Sequence, residues 1–291
     1  MKKDEFYLLV LILPLIVAGC TLPGLHPSKP SQSSSGFQAR QLTTPTGGLE
    51  MTLSLSNPEP FVNSTFTVMA NVKNVGSSDA TDIKVKLAKV SGDFDIIPKD
   101  WQSLGTLPRP VEDRESSTQY AWTVTAGERS GELEATLKYK YTTEAKGDII
   151  VYNINYVTSS NKILQEAQSS PGIKSFDGTA APITISVNDN GPIYYRGESS
   201  NTIVFYLTNS GNGLVYDPDS GENIRHVRVT IKIGDTICKD NEDVQLNFVG
   251  STPIKCEFDP ATDTKKSVTF DVKVTYYYEE TSKISVNVKK V

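Results

Sequence analysis

The chain has 291 residues, of which 37% are hydrophobic and 22% are charged, and its formal net charge is −5. This length suits about two domains of ordinary size rather than one large core. The 34 acidic residues outnumber the 29 basic ones, which argues against a nucleic-acid-binding protein and against a polybasic membrane-surface domain.

The N-terminal residues have the pattern of an export signal. Lys2 and Lys3 precede an apolar run, Phe6–Ala18, which is shorter than the ~20 residues that a membrane-spanning helix needs. The small residues Ala18 and Gly19 stand directly before Cys20, and this arrangement resembles the lipobox of prokaryotic lipoproteins. The resemblance implies a signal peptide over residues 1–20, cleavage before Cys20 and a lipid on its sulfur. An uncleaved anchor helix and a secretory signal without lipid stay open. All three readings place the rest of the chain outside the cytoplasm, on the extracellular or periplasmic side of the membrane.

Residues 21–48 are rich in Pro, Ser, Thr, Gly and Gln. Such a composition offers little apolar surface for a core and predicts a flexible tether. A coil of about 28 residues has an r.m.s. span of roughly 30 Å. The tether would therefore hold a folded domain clear of the lipid head groups.

Residues 49–157 alternate between short apolar–polar segments and turn residues. In one of these segments Phe66, Val68, Ala70 and Val72 share one face, and this period of two is typical of a half-buried strand. The predicted strands are Glu50–Ser56, Thr65–Asn74, Thr81–Val90, Thr118–Thr125, Gly131–Thr142 and Asp148–Val157.

Residues 179–291 repeat the same plan. Asn201–Asn209 echoes Phe66–Asn74, and the segment beginning at Phe270 echoes the one beginning at Ala135. Each of the last two is followed by a predicted short turn and a final strand. The sequence therefore predicts an all-β protein with two tandem immunoglobulin-like β-sandwich domains, residues 49–157 and 179–291, joined by a Ser-rich linker over residues 158–178.

Part of the first repeat resembles a known family. The pattern consists of Phe66-x-Val68, Val72, Asn74-x-Gly76, Ala80 and Asp82-Ile83-x-Val85-x-Leu87. It resembles the CARDB-like, cell-adhesion-related repeats of bacterial and archaeal surface proteins over about 40 residues. The resemblance implies a seven-stranded sandwich used for adhesion, spacing or presentation. It is weaker in the second repeat, and it brings no catalytic residues.

Two cysteines remain beyond Cys20, and both lie in the second repeat. Cys238 follows a predicted strand and Cys256 lies within another. A pair of cysteines in an exported domain predicts a disulfide. Two unpaired, partly buried thiols stay open, and so does a metal or redox pair.

Residues for catalysis are scarce. The chain has two histidines, His26 in the tether and His226 at the start of a predicted strand. The sequence contains no nucleophile elbow, no phosphate-binding loop and no dinucleotide fingerprint. A carboxylate pair for glycoside hydrolysis stays open because the acidic residues are many and scattered. We therefore expect a protein that is not an enzyme.

Three further features are candidate sites. A calcium site is predicted at Asp217, Asp219 and Glu222, which share one loop with Gly221, with a solvated acidic turn as the alternative. Asn63-Ser-Thr is a possible glycosylation acceptor. In Tyr276–Tyr278, alternate side chains face opposite sides of a strand, either as ordinary strand filling or as an exposed aromatic anchor.

The leading functional hypothesis is a lipid-anchored surface protein that acts as an adhesion, spacer or assembly scaffold, with an envelope protein as its partner. The alternative is a surface module that captures a solute or glycan for a transporter or enzyme. The first predicts a stable protein partner, and the second predicts a saturable small ligand. No cofactor is expected beyond the possible calcium ion.

Overall fold

A computed structural model of the chain describes residues 38–112, 114–197 and 200–290. This part is mostly β, as the alternating pattern predicts. No helix among these residues is long and apolar enough to cross a membrane. The helices are α1 (Ile154–Thr158) and α2 (Asn161–Ser169). The strands are β1 (Arg40–Thr43), β2 (Leu49–Leu55), β3 (Thr65–Asn74), β4 (Ala80–Lys89), β5 (Phe94–Ile97), β6 (Gln102–Leu107), β7 (Ser116–Ala126), β8 (Gly131–Asn153), β9 (Ile173–Gly178), β10 (Ile183–Asp189), β11 (Ile193–Tyr195), β12 (Asn201–Asn209), β13 (Leu214–Tyr216), β14 (His226–Ile233), β15 (Thr236–Gln245), β16 (Thr252–Phe258) and β17 (Lys265–Val286).

These strands form three sheets. The first small sheet has the order β2-β3-β7-β5, and the second small sheet has the order β1-β10-β12-β16. The nine-stranded shared sheet has the order β15-β14-β17-β8-β4-β6, with β9 and β11 beside β8 and β13 beside β17. The buried apolar residues of all three sheets form one continuous core, which extends through both repeats. Along β8, alternate residues from Leu133 to Tyr141 are buried in this core, while those between them are half exposed on the opposite face.

The shared sheet is built on two strands that run through both repeats. β8 has 23 residues and β17 has 22, and they pair antiparallel along their length, from Gly131 opposite Val286 to Tyr152 opposite Lys265. The first part of β8 therefore pairs with the last part of β17, and the last part of β8 pairs with the first part of β17. Each repeat contributes its final strand segment to the sheet of the other repeat.

The sequence predicts a strand, a short turn and a final strand at the end of each repeat, but in both repeats the chain continues straight through the predicted turn. In the second repeat, the segment between Tyr277 and Ser282 has no Gly, Pro, Asn or Asp, which are the residues that tight turns favour. In the first repeat, Gly147 lies at the predicted turn and does not reverse the chain. A Cβ at this position would lie 2.3 Å from the carbonyl oxygen of Ser175 and 2.6 Å from the ring of Phe270, so the glycine allows close packing within a continuous strand.

The predicted linker over residues 158–178 contains regular structure. Residues of α1 and α2, including Val157 and Ala167, pack with Tyr152 in a small second apolar cluster. β9 pairs with residues 145–149 of β8. The linker becomes structured because its apolar residues cover the end of the shared sheet.

The predicted tether also differs at its C-terminal end. Arg40–Thr43 forms β1, which pairs antiparallel with β10 of the second repeat. The chain therefore joins the second small sheet first and then crosses to β2 in the first repeat. Polar residues form a strand here because an existing sheet edge supplies their hydrogen-bond partners.

The Asn74-x-Gly76 turn is held by its asparagine side chain. Nδ2 of Asn74 donates to the carbonyl oxygens of Ser78, Leu107 and Pro108, and Oδ1 accepts from the N–H of Gly76. The side chain thus satisfies four backbone groups at the end of β3.

Candidate functional site

The two repeats meet at a cluster of four buried tyrosines on β8 and β17. Tyr139 lies opposite Tyr278 and Tyr141 opposite Tyr276 in the strand register. Their hydroxyls accept backbone N–H groups from four different segments, those of Leu49, Ser78, Ile183 and Gly213. The tyrosines therefore tie the loops of both small sheets to the shared sheet.

Burial keeps these hydroxyls protonated to a higher pH than that of an ordinary tyrosine. It raises the pKa of Tyr141 and of Tyr278 to about 12. It also raises the pKa of Tyr139 and of Tyr276 above the ordinary tyrosine value, because a phenolate loses solvation in the core. Of the two alternatives for Tyr276 and Tyr278, strand filling is the one found, because both side chains are buried. They were recognised from the sequence, whereas Tyr139 and Tyr141 were not.

A cleft of about 320 Å³ opens beside this cluster. Tyr139 and Tyr278 are among its lining residues, with Pro182 and Asn212 from the loops of the second repeat. Glu50 and Glu280 bring two carboxylates to the same space. The volume is at the lower end of the range for small-molecule sites.

Glu280 is the chemically unusual residue of the cleft. Its Oε1 atom is buried and has no hydrogen-bond partner. Burial raises the pKa of Glu280 to about 7, and the nearby negative charge of Glu50 acts in the same direction. The sequence carries a signal for this residue. Glu280 continues the alternation of Tyr276 and Tyr278 and so places an acidic residue at an inward position.

Stability should therefore depend on pH through Glu280. The unfolded chain releases this proton near the ordinary value of 4.5, whereas the folded chain keeps it up to about pH 7. The unfolded state thus binds fewer protons between these values, so the free energy of unfolding falls as pH rises from about 4.5 to about 7. Glu280→Gln should raise it by about 2 kcal/mol at pH 8 and leave it nearly unchanged at pH 4.

Urea unfolding at the two pH values measures this effect. The exposed Glu128 provides a matched control, and Glu128→Gln should not change the pH profile. Equal effects of Glu280→Gln at pH 4 and pH 8 would contradict the assignment.

The predicted disulfide is present in the structure. Cys238 lies on β15 at the edge of the shared sheet, and Cys256 lies on β16 at the edge of the second small sheet. Their Cα atoms are 5.6 Å apart and their sulfurs are bonded. The bond thus joins the two layers of the second repeat at one side.

Removing this bond should destabilise the fold. The cysteines are 18 positions apart in the sequence, and closing a loop of this size contributes about 3 kcal/mol in the chain-entropy model. We expect the double substitution Cys238→Ser/Cys256→Ser to lower the free energy of unfolding by this amount in urea. Reductant should lower the stability of the wild type and leave the double variant unchanged. An effect of reductant on both proteins would point to another cause.

The acidic loop that was proposed for calcium forms an ion-paired turn. Asp217 Oδ1 accepts the N–H groups of Asp219 and Ser220 at 2.8 and 2.9 Å. Arg228 contacts both aspartates, with its Nε 3.0 Å from Oδ2 of Asp219. Glu222 is exposed. A calcium ion at this loop would have to displace Arg228 from the carboxylates. Over the described ranges, no group of three or more His, Cys, Asp or Glu residues has the geometry to hold a metal ion.

The outer face of the shared sheet carries Tyr277. Its hydroxyl donates to Asp82 of the first repeat. Burial raises the pKa of Tyr277 to about 12, and the hydrogen bond to Asp82 contributes in the same direction. Lys138 Nζ lies 4.3 Å from the ring centroid of Tyr216 and donates to the carbonyl oxygen of Gly221. The acidic loop therefore packs onto β8 and β17 beside Tyr277, so this tyrosine is not a free aromatic anchor.

Two of the remaining predicted residues, Asn63 and His226, lie apart from the cleft. Cys20 and His26 fall outside the described residues. Asn63 is exposed in the turn before β3 with φ 61°, and its glycosylation stays a prediction. His226 begins β14, where its Nδ1 lies 3.0 Å from Asp243.

No protein-family model matches this chain. No curated protein matches it either.

Proposed function

We propose that this protein is a lipid-anchored scaffold of the cell surface that spaces or assembles other envelope proteins and has no catalytic activity. One observation carries the proposal: β8 and β17 run through both repeats without a break. Two repeats joined in this way have no hinge between them. A strand of 23 residues at about 3.3 Å per residue gives a stiff element of about 75 Å.

The N-terminal pattern supports the same role. We propose that Cys20 carries the lipid and that the residues between Cys20 and Arg40 form the tether. The rigid part would then be held at the outer side of the membrane by this short segment. The finer assignment of the repeats as two immunoglobulin-like domains of the CARDB-like kind belongs to this proposal. Its support is the Phe66–Leu87 pattern and the packing of each small sheet on one half of the shared sheet.

Recovery of the full-length protein from its native membranes tests the scaffold role. After brief crosslinking and extraction in mild detergent, we expect an envelope protein in stoichiometric amount. Cys20→Ser should release the protein from the membrane fraction, whereas Ser28→Ala in the same segment should not. Recovery of the protein alone, in repeated preparations, would overturn the scaffold role.

The cleft favours a second candidate function, the capture of a small solute. Glu50 and Glu280 would select a cationic group, and the tyrosine rings nearby would pack against its apolar part. A screen of amines by thermal shift tests this function. A saturable shift that Glu280→Gln abolishes would support it, and the absence of any shift at millimolar amine would reject it.

A further inference from the structure

The two repeats have equivalent positions that can be compared one by one. Leu49 pairs with Asn74 as Ile183 pairs with Asn209. Two cross-strand ion pairs repeat in the same way: Lys138–Glu279 at 3.9 Å and Lys273–Glu144 at 4.0 Å. By this correspondence, β2 is the equivalent of β10, and the last part of β17 is the equivalent of the last part of β8.

In the second repeat, both of these edges are covered. β1 pairs with residues 186–189 of β10, and the N–H of Thr44 extends this pairing to the carbonyl oxygen of Ile185. β9 pairs with residues 145–149 of β8. As a result, the inward residues Ile185 and Val187 are 0% exposed and Ile149 is 1% exposed.

In the first repeat, the equivalent edges are open. Over the part of the chain that the structure describes, no strand pairs with the outer edge of β2. On the side of β17 away from β8, none pairs beyond Glu279. Met51, Leu53 and Ile284 stand at the places of Ile185, Val187 and Ile149, and each of them is only half-buried. The apolar side chains between β2 and β17 are therefore only partly covered.

The backbone of β2 is oriented to accept another strand. The bond from the N–H of Ser56 to Thr67 and the bond from the N–H of Val75 to Gly48 show that even-numbered residues of β2 face β3. In an antiparallel ladder, the N–H and C=O groups of the odd-numbered residues then face the other way. Those of Met51, Leu53 and Leu55 consequently point outward, and such a row of groups is a template for strand addition.

The charges at one end of this edge indicate the chemistry of the added strand. Glu50 begins the exposed part of β2, and Glu280 lies beside it on β17 with its buried Oε1 atom unpartnered. A lysine or arginine opposite Glu50 would pair with the Glu50 carboxylate and bring a positive charge close to Glu280. In an antiparallel arrangement that position is at the C-terminal end of the added strand.

We propose that the outer edge of β2 binds an extended segment of a partner protein, antiparallel to β2, with a basic residue at the C-terminal end of the segment. The inference rests on the proposed scaffold function and specifies how the partner is held. β1 on β10 is its counterpart within the chain. The partner segment would complete the first small sheet as β1 completes the second.

A synthetic peptide tests the edge without knowledge of the natural partner. The octapeptide Gln-Ala-Arg-Gln-Leu-Thr-Thr-Lys copies residues 38–44, which cover the equivalent edge, and places a lysine opposite Glu50. We expect it to slow amide hydrogen exchange in residues 49–56 of the full-length protein in mild detergent. A peptide ending in glutamate should bind about tenfold more weakly, as the loss of one partly buried ion pair predicts.

Variants of the protein separate edge pairing from other binding. Glu50→Gln should remove the preference for the lysine peptide, and Glu128→Gln should preserve it. Leu53→Pro deletes an outward N–H and should abolish the protection. If Leu53→Pro fails to fold, the loss of the preference for the lysine peptide in Glu50→Gln still tests the proposed edge.

Three results would overturn the inference. They are slow exchange of the outward amides before peptide is added, protection at residues 183–189 instead of 49–56, and no protection at millimolar peptide. None of these results depends on membrane attachment or on recovery of a partner, so failure of the edge and failure of the scaffold role are distinguishable.

Discussion

Replacement of Asp189 by alanine should lower the free energy of unfolding by about 3–5 kcal/mol. The carboxylate is fully buried, and its Oδ1 atom accepts the N–H groups of Gly172, Ile173 and Gly191. Its Oδ2 atom lies 3.2 Å from Nε of Arg40 on β1. Without the carboxylate, three backbone donors at the end of the second repeat lose their partner, and β1 loses its ion pair.

Urea unfolding of the wild type and the variant measures this loss. Asp240 on β15 is exposed, and Asp240→Ala should change the stability by less than about 0.5 kcal/mol. Asp189→Ala should also speed hydrogen exchange in β1, because Arg40 no longer holds that strand. A small loss of stability with unchanged exchange in β1 would show that the loop and β1 are held by other contacts.

The second large effect should reveal that the two repeats unfold as one unit. Trp122 on β7 is fully buried in the first repeat, and Trp122→Ala should cost about 3–5 kcal/mol. Because β8 and β17 belong to both repeats, both repeats should lose stability. We expect the slowest-exchanging amides of β12, which lies in the second repeat, to lose the same free energy of exchange as those of β3.

Hydrogen exchange resolved by segment measures this coupling. Phe248 is 86% exposed, so Phe248→Ala provides a control that should leave both repeats unchanged. If β12 kept its wild-type exchange in the Trp122 variant, the repeats would be separate folding units. The rigidity on which the scaffold proposal depends would then be lost.

Cooperative unfolding bears directly on the proposed function. A scaffold made of two independent domains would bend at the linker, and the separation of its partners would vary. In this chain, the segment predicted as a linker packs against β8 through β9 and α2. A partner strand on β2 would therefore keep a fixed orientation relative to the second repeat.

The sequence by itself determined the β class and most of the individual strands. Alternation in Thr65–Asn74 predicts β3 with the same bounds in the structure, and the shared face of Tyr276 and Tyr278 follows from the same period. The disulfide between Cys238 and Cys256 also followed from the number of cysteines and the export signal. These features are local or compositional, so they can be inferred without the partner of each strand.

Only the tertiary structure decided how the strands are shared. Alternation is the same in a strand that folds back on itself and in one that continues into a neighbouring repeat, so the sequence pattern does not distinguish a hairpin from the continuous β8. β1 and β9 have few apolar residues and form strands because an edge was available to pair with. The burial of Glu280 and Asp189 likewise depends on elements distant in sequence. The same long-range packing forms the cleft, raises the pKa of Glu280 and leaves the edge of β2 open.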